Sequence, residues 1–178
     1  MTDSKNLLIF IGGVHGSGKT TVGTRAALCM GADFKSCSQI IRAERQTQTV
    51  STPGIADVEL NQRALIAGLK RLRSSSVTVL LDGHFSLKTL NDGIQPIPLE
   101  VFESMIPDVL FLIETSSSSI SFRLANRDGV VIPESAIIEH QEQERRFAGL
   151  VSQHIGRPLI VLNGDDDNAQ LAIVSALR

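Results

Sequence analysis

The strongest chemical signal in this sequence is one glycine-rich octapeptide. Residues 13–20 read Gly-Val-His-Gly-Ser-Gly-Lys-Thr, which satisfies the pattern G-x-x-x-x-G-K-[ST] completely. Glycines let the backbone bend so that successive N–H groups converge on a phosphate. In such a loop the lysine reaches the β- and γ-phosphates and the final hydroxyl binds Mg²⁺, whereas His15 is more typical of a spacer. The predicted nucleotide contacts are Gly13, Gly16, Ser17, Gly18, Lys19, Thr20 and Thr21.

A second chemical group follows an apolar run that ends in an acid. Residues 77–81 are apolar or β-branched, and Asp82 follows them directly. An acid at the end of such a strand holds Mg²⁺, usually through water, or orients the acceptor of a phosphoryl group; alternatively, Asp82 caps the turn before Gly83. Because Gly83 is not a second acid, and because no N-K-x-D guanine motif occurs, the sequence favours a small kinase over a motor or a switch.

Arginines supply a third set of candidates, because their planar guanidinium groups suit phosphate. Arg42 lies near the start of a helix predicted after the second strand. Arg123 and Arg127 are four positions apart on another predicted helix and therefore share one face. Arg145 and Arg146 lie on a later helix. From spacing alone, each of these is more typical of a solvated surface residue.

The elements that must position these groups alternate between strands and helices. Most of the strand-like runs are continuously apolar, which is typical of strands buried on both faces of a parallel sheet. The predicted strands are 7–11, 32–35, 77–81, 109–113 and 159–162, and the predicted helices are 19–30, 38–46, 58–72, 117–126, 134–152 and 166–177. This alternation predicts an α/β fold with a doubly wound, five-stranded parallel sheet flanked by helices. Proline and glycine predict loops at 48–54 and 91–98.

Composition limits the classes of protein that fit. The 178 residues suffice for one domain, and 42% hydrophobic with 20% charged residues excludes disorder as the main state. A net charge of −2 argues against nucleic acid as the main partner. No apolar run approaches the roughly 20 residues of a membrane span, and no signal peptide is apparent. Two cysteines form neither a disulfide framework nor a metal quartet. We therefore expect a cytoplasmic protein without a membrane partner.

Together these motifs resemble nucleoside monophosphate kinases, and most closely the archaeal-type adenylate kinases. The resemblance begins at the phosphate loop, continues through Ser-x-Ser-x-Ile-Ile-Arg-Ala at 36–43, and includes Arg123-x-x-x-Arg127. The family's acid-x-His turn is matched by Asp82-Gly83-His84, and its Lys-Thr pair by residues 88–89. Its Pro-Asp strand matches 107–114, and its Glu-His-Gln helix with a downstream arginine matches 139–145. The matches are collinear over residues 6–163.

The resemblance implies Mg²⁺-assisted phosphoryl transfer from ATP to a nucleoside monophosphate, within a single P-loop kinase domain. It implies catalytic roles for Lys19, Asp82, Arg127 and Arg145, although the register also allows Arg146. It implies that Arg123 lies against the ATP base, that Thr20 and Asp82 bind Mg²⁺, and that Ser38, Arg42, His84 and Lys88 hold the acceptor. An acceptor-binding segment at 36–73 and a short lid at 127–133 are further implications. The arginine that longer adenylate kinases carry after Asp-Gly-Phe-Pro is absent here.

Two other functions stay open beside this one. The same donor site could serve a kinase of another small molecule, or an ATP-binding module or slow ATPase that controls a partner. A hydroxyl acceptor would call for a carboxylate after the second predicted strand, where Asp33 is followed by no further acid. Arg42 and Lys88 have no purpose in a simple ATP sensor. Both arguments favour small-molecule nucleotides as the ligands. A homo-oligomer, which archaeal-type relatives often form, is also left open.

Overall fold

The computed structural model describes residues 6–47, 56–73, 77–88 and 93–177. The predicted loop at 48–54 lies outside these residues, as do Asn91 and Asp92 of the second predicted loop. The strands are β1 (Leu8–Gly12), β2 (Asp33–Ser36), β3 (Val79–Asp82), β4 (Ser86–Lys88), β5 (Ile94–Pro96), β6 (Val109–Glu114) and β7 (Leu159–Asn163). The helices are α1 (Lys19–Met30), α2 (Cys37–Thr47), α3 (Ala56–Arg73), α4 (Leu99–Met105), α5 (Ser117–Asp128), α6 (Glu134–Ile155) and α7 (Ala169–Ala176).

Within the described residues, five strands form one parallel sheet in the order β2-β3-β1-β6-β7. The doubly wound α/β fold is therefore confirmed. All five residues of β1 are buried, which explains why its sequence is continuously apolar rather than alternating. The connection from β1 leads to β2 on one side of the sheet, whereas the connection from β3 crosses to β6 on the other side, so the crossovers diverge between β1 and β3. Ligands of open parallel sheets bind at this kind of switch point, beside the carboxyl ends of the strands.

Two hydrophobic cores cover the two faces of the sheet. On one face, α1 and α7 pack against residues such as Ile11 and Phe111. On the other face, residues of α3, α4 and α6 surround an aromatic group in which Phe10 contacts Phe85 and Phe102 at ring-centroid distances of 5.0 and 5.3 Å. The Phe85 ring lies so close to Gly12 that a Cβ there would come within 2.3 Å of it. Side-chain packing thus fixes the chain directly after β1 and β3.

The structure corrects the prediction of a loop at 91–98. Residues 94–96 form β5, which pairs antiparallel with β4 as a two-stranded ribbon. Pro96 is compatible with this position because a two-stranded ribbon has an unpaired edge that needs no N–H donor. Helix α4 was not predicted either, since its seven residues are too few for a helical period to stand out. In the described part of the chain, no helix is long and apolar enough to cross a membrane.

Candidate active site

The phosphate loop connects the buried end of β1 to the first turn of α1. Gly13, Gly16 and Gly18 have φ values of 143°, 85° and 99°, a region that residues with a Cβ rarely adopt. A Cβ at Gly13 would also lie 2.4 Å from the carbonyl oxygen of Ile113. Beneath the loop, Val14 packs in a small apolar cluster with Ile120 of α5. The glycines and this cluster together hold the loop against the sheet and α5.

Lys19 is held on the inner side of the loop. Its side chain is buried, and Nζ donates hydrogen bonds to the carbonyl oxygens of Gly13 at 2.7 Å and Val14 at 2.9 Å. Burial lowers the pKa of Lys19, while the negative charges of Asp82 and Glu144 act in the opposite direction. The ammonium is therefore oriented by backbone carbonyls before any phosphate arrives.

Thr20 and Asp82 meet at the carboxyl edge of the sheet. The hydroxyl of Thr20 donates a 3.0 Å hydrogen bond to Oδ2 of Asp82. Burial raises the pKa of Asp82, while the Lys19 charge and the Thr20 hydrogen bond lower it. Mg²⁺ prefers such oxygen ligands and commonly takes only one or two protein carboxylates together with substrate phosphates. The pair fits that pattern, and the described residues contain no cluster of three or more histidine, cysteine or acidic ligands.

Helix α5 brings Arg123 and Arg127 to the loop. Arg123 donates from Nη1 to the Gly16 carbonyl at 3.1 Å and from Nη2 to Oδ1 of Asp165 at 2.6 Å. Arg127 contacts the Nε2 of His15 at 2.5 Å and forms two hydrogen bonds with Asp128 at 2.8 and 2.9 Å. These bonds lower the pKa of Asp128 to about 2. The shared face that the spacing of the two arginines predicts is thus the face that meets the phosphate loop.

One cavity of about 1460 Å³ extends from the phosphate loop across the sheet edge. Its walls include all but two of the predicted loop contacts. The exceptions are Gly13 and Ser17, which are buried within the loop. Asp82, His84, Ser38, Arg123 and Arg127 also line it. The part of the wall formed by β2, α2, α3, β5 and α4 is apolar and amide-rich, with Phe34, Gln39, Ile41, Asn61, Gln62, Leu65, Gln95, Val101, Phe102 and Met105.

Besides Gly13 and Ser17, three predicted site residues do not line this cavity. Arg42 is exposed on α2, one turn beyond the lining residue Ser38, and Lys88 is exposed at the end of β4. Arg145 forms a two-pronged ion pair with Glu114, in which Nε lies 2.7 Å from Oε1 and Nη2 contacts Oε2. That pair belongs to a separate depression of about 610 Å³. Arg146, the alternative in register, is exposed and lines neither cavity.

Residues 12–137 match the protein family described as the AAA domain, a span that begins at the end of β1 and contains the whole phosphate loop. The chain belongs to this family of P-loop proteins. The match also includes α5 and both of its cavity-lining arginines, so most of the site described above lies inside the AAA domain.

Curated relatives of this AAA domain include archaeal adenylate kinases, which confirms the resemblance seen in the sequence. The adenylate kinase of Pyrococcus horikoshii is 22% identical over 185 residues, covering 96% of this chain and 92% of the relative. The adenylate kinase of Methanoculleus marisnigri is 26% identical over 123 residues, covering 66% and 64%.

Solved structures with the same fold include proteins described as kinases of other molecules. A gluconokinase from Sinorhizobium meliloti has a TM-score of 0.53 at 16% identity, over 97% of this chain and 89% of that one. A sugar kinase from Janibacter sp. has a TM-score of 0.59 at 18% identity, over 96% and 92%. At these identities the likeness shows a P-loop kinase fold for the AAA domain.

His84 enters the site of the AAA domain as a half-buried, neutral imidazole. Burial lowers the pKa of His84 to about 3, and the nearby Lys19 charge acts in the same direction. A hydrogen bond with the Gly13 backbone opposes these effects. Its Nδ1 is buried and has no hydrogen-bond partner among the described residues. A neutral ring of this kind can donate or accept a hydrogen bond toward a ligand in the cavity.

Sequence reasoning missed Glu144. This residue of α6 is only 1% exposed, and its carboxylate accepts hydrogen bonds from the phosphate loop and from the segment after His84. A signal was present, since Glu144 stands in the apolar stripe of α6 that contains Ile137, Ala148 and Val151. An acid within such a stripe indicates a buried carboxylate with specific partners.

Proposed function

We propose that this protein is an ATP-dependent kinase that transfers a phosphoryl group to a nucleoside monophosphate. The observation that carries the proposal is the continuous cavity of about 1460 Å³ that extends beyond the phosphate loop. Pockets for one small molecule usually measure about 300–1,000 Å³. A module that only binds ATP has no use for the additional room. The archaeal adenylate kinases among the relatives support the same acceptor class.

On the donor side, the proposed roles follow from charge and reach. Loop N–H groups and Lys19 would bind the ATP phosphates, Arg127 would stabilise the phosphoryl group in transfer, and Arg123 would lie against the base. Thr20 and Asp82 would hold Mg²⁺, which neutralises phosphate charge when it is bound. The contacts of Arg127 with His15 and Asp128 place its guanidinium beside the loop already.

On the acceptor side, a monophosphate is already anionic near neutral pH, so the reaction requires positioning more than a strong base. The apolar wall with its amide groups suits a nucleobase, and Ser38 and His84 face the same cavity. Arg42 and Lys88 are exposed outside the cavity. For Arg42 to hold the acceptor, the segment 36–73 must close over it, as kinases commonly close over their substrates. Lys88 lies on β4 and would have to move toward the cavity as well. Arg145 would have to leave Glu114 to reach the transferred phosphoryl group from the lid side.

A second candidate is a kinase of an uncharged hydroxyl compound. The described lysines and arginines that line the cavity, Lys19, Arg25, Arg123 and Arg127, all lie on α1 or α5. The wall contributed by α2 to α4 offers hydroxyl and amide groups instead. Asp82, whose pKa is raised by burial, could then accept the proton of a hydroxyl group. The gluconokinase and sugar kinase folds make this candidate worth testing directly.

A single assay separates the functions. ADP formation from Mg²⁺-ATP is followed with each nucleoside monophosphate, with gluconate and neutral sugars, and with ATP alone. We expect a rate at least about 10²-fold above ATP alone for one or more monophosphates, since positioning of the acceptor is worth that much or more. The Lys19→Ala variant is the control for contaminating kinases. Stimulation by hydroxyl compounds alone would establish the second candidate, and ADP formation that no acceptor increases would indicate an ATPase module.

A further inference from the structure

Glu144 joins two segments of the site with one carboxylate. Its Oε1 accepts hydrogen bonds from the N–H of Gly13 at 3.1 Å and from the N–H of Phe85 at 2.8 Å. Its Oε2 accepts a hydrogen bond from the hydroxyl of Ser86. Gly13 opens the phosphate loop, whereas Phe85 and Ser86 directly follow His84, which lines the cavity. Glu144 therefore contacts both segments without lining the cavity itself.

The sheet aligns these two segments only up to its edge. Parallel pairing of β1 with β3 ends with Ile11 opposite Asp82, and one further hydrogen bond joins Gly83 N to Ile11 O at 3.0 Å. Beyond that point the phosphate loop and the His84 segment separate from the ladder. Glu144 continues the connection, because it binds one backbone N–H from each segment.

The same carboxylate is also linked to Lys19. Lys19 Nζ donates to the carbonyl oxygen of Gly13, whose N–H donates to Glu144. Both polar groups of Gly13 are thus held, one by a cation of the site and one by Glu144. This glycine has a φ of 143°, and a rotation there would displace Lys19 and every later N–H of the loop.

Burying a carboxylate is costly when its contacts are neutral donors, and apolar residues usually pack into such a position more favourably. Glu144 is 1% exposed and is bonded to two N–H groups and one hydroxyl. Burial raises the pKa of Glu144, while its hydrogen bonds with Ser86 and Phe85 and the Lys19 charge lower it. A helix that needed only core packing would have no reason for an acid here.

We propose that Glu144 is a positioning residue that holds the phosphate loop and the His84 segment in one fixed relation, so that donor and acceptor phosphates meet in line. This inference rests on the proposed kinase function, because the assay of phosphoryl transfer that tests it requires that activity. What matters in this role is the reach of the side chain to two backbone N–H groups, rather than its charge.

Two conservative variants separate reach from charge. Glu144→Gln keeps the length and an oxygen that can accept from both N–H groups, and the Ser86 hydroxyl can reverse to accept from the new amide. Glu144→Asp keeps the charge but is shorter by one methylene, about 1.5 Å. A displacement of about 1 Å can reduce an enzyme's rate about 10²-fold. Glu142→Gln and Glu142→Asp, at an exposed position on the same helix, are matched controls.

We expect the Gln variant to stay within about threefold of wild type, and the Asp variant to lose about 10²-fold in kcat and at least about tenfold in ATP affinity. Thermal unfolding of each variant reports stability separately. A purely structural role would lower Tm and leave kcat and ATP affinity of the folded fraction unchanged, which would overturn the proposal. Equal losses in both variants would also overturn it, because charge would then be the decisive property.

Measuring ATP affinity distinguishes a failure of the Glu144 proposal from a failure of the proposed kinase function. Titration of ATP by calorimetry requires no acceptor, so it gives a result even if wild type transfers phosphate to no monophosphate. Weaker ATP binding in the Asp variant but not in the Gln variant would then support Glu144 while the kinase function failed. Transfer by wild type that neither substitution changes would leave the kinase function standing and reject Glu144.

Discussion

Thr20 and Asp82, 62 positions apart in the chain, share a 3.0 Å hydrogen bond at the edge of the sheet. One belongs to the first turn of α1 and the other ends β3, so the contact exists because β1 and β3 are parallel neighbours. The two oxygens lie beside the loop that holds Lys19. This geometry combines a phosphate site with a ligand pair suited to Mg²⁺.

Replacing Asp82 with asparagine should separate its charge from its shape. The amide can still accept from Thr20, but it binds Mg²⁺ more weakly and cannot take a proton. We expect phosphoryl transfer to fall about 10²-fold or more, with a higher Mg²⁺ requirement. Titration of MgCl₂ at saturating ATP measures both effects. Glu100→Gln, an exposed change on α4, is the control, and an unaltered Mg²⁺ dependence in Asp82→Asn would contradict the assignment.

Lys19→Ala should remove the cation that the loop carbonyls orient toward the phosphates. We expect the transfer rate to fall roughly 10²-fold or more, the usual effect of losing one preorganised electrostatic donor. Steady-state kinetics with circular dichroism as a check on folding would measure this. Activity within about threefold of wild type would defeat the phosphate-loop assignment.

Arg42→Ala should mainly weaken binding of the acceptor. The side chain lies one turn beyond Ser38 and away from the loop, so the KM for the monophosphate should rise about tenfold or more while the KM for ATP changes little. Each substrate is titrated with the other held saturating. Lys70→Ala, an exposed cation on α3, serves as the control. Loss of ATP binding instead would assign Arg42 to the donor side or to the fold.

The segment 127–133 should behave as a lid. Gly129 has a φ of 67° at the end of α5, and Val130 and Val131 are 46% and 83% exposed, which leaves apolar surface to bury on closure. We expect a bisubstrate analogue, two nucleosides joined through phosphates, to bind far more tightly than ATP and to slow amide exchange in this segment. ATP alone should not slow it, and a low rate of ATP hydrolysis without acceptor should be measurable.

Exchange in α7, on the other face of the sheet, provides the internal reference for that measurement. Equal protection by ATP and by the analogue, or equal affinity for the two, would show that donor and acceptor do not share one closing site.

His140 should make the protein less stable in acid. Its Nε2 is buried with no hydrogen-bond partner among the described residues, and burial lowers its pKa, with the charges of Lys88 and Lys19 acting in the same direction. The unfolded chain takes up this proton near pH 6.5, at about the ordinary pKa of histidine. Below that pH the unfolded state binds more protons, so the free energy of unfolding decreases as the pH falls.

Urea denaturation at pH 7.5 and pH 5.5 would test this for His140→Gln without nucleotide. We expect the variant to lose less unfolding free energy than wild type over that interval. His84, whose pKa lies at about 3, contributes in the same direction and is unchanged in both proteins, so the difference isolates His140. Equal losses would mean that His140 takes up its proton as readily in the folded protein as in the unfolded chain, which would contradict the lowered pKa.

The phosphate loop and the sheet could be predicted because both depend on contiguous residues. Glycines with positive φ and a following helix create the loop locally, and continuously apolar runs such as 109–113 must be buried on both faces. The position of Asp82 beside Thr20 follows from the same logic, since parallel strands bring their carboxyl ends to one edge. The β4–β5 ribbon was missed because strands of three residues carry no readable alternation.

Tertiary structure alone decided which residues of α6 face the site. Successive helical residues point about 100° apart, so Glu144, Arg145 and Arg146 must look in different directions. Packing of α6 against the sheet turns Glu144 inward, where it reaches Gly13 from 131 positions away, and turns Arg145 toward Glu114. The rotation of a helix about its axis depends on every side chain beneath it, and those residues come from distant parts of the chain.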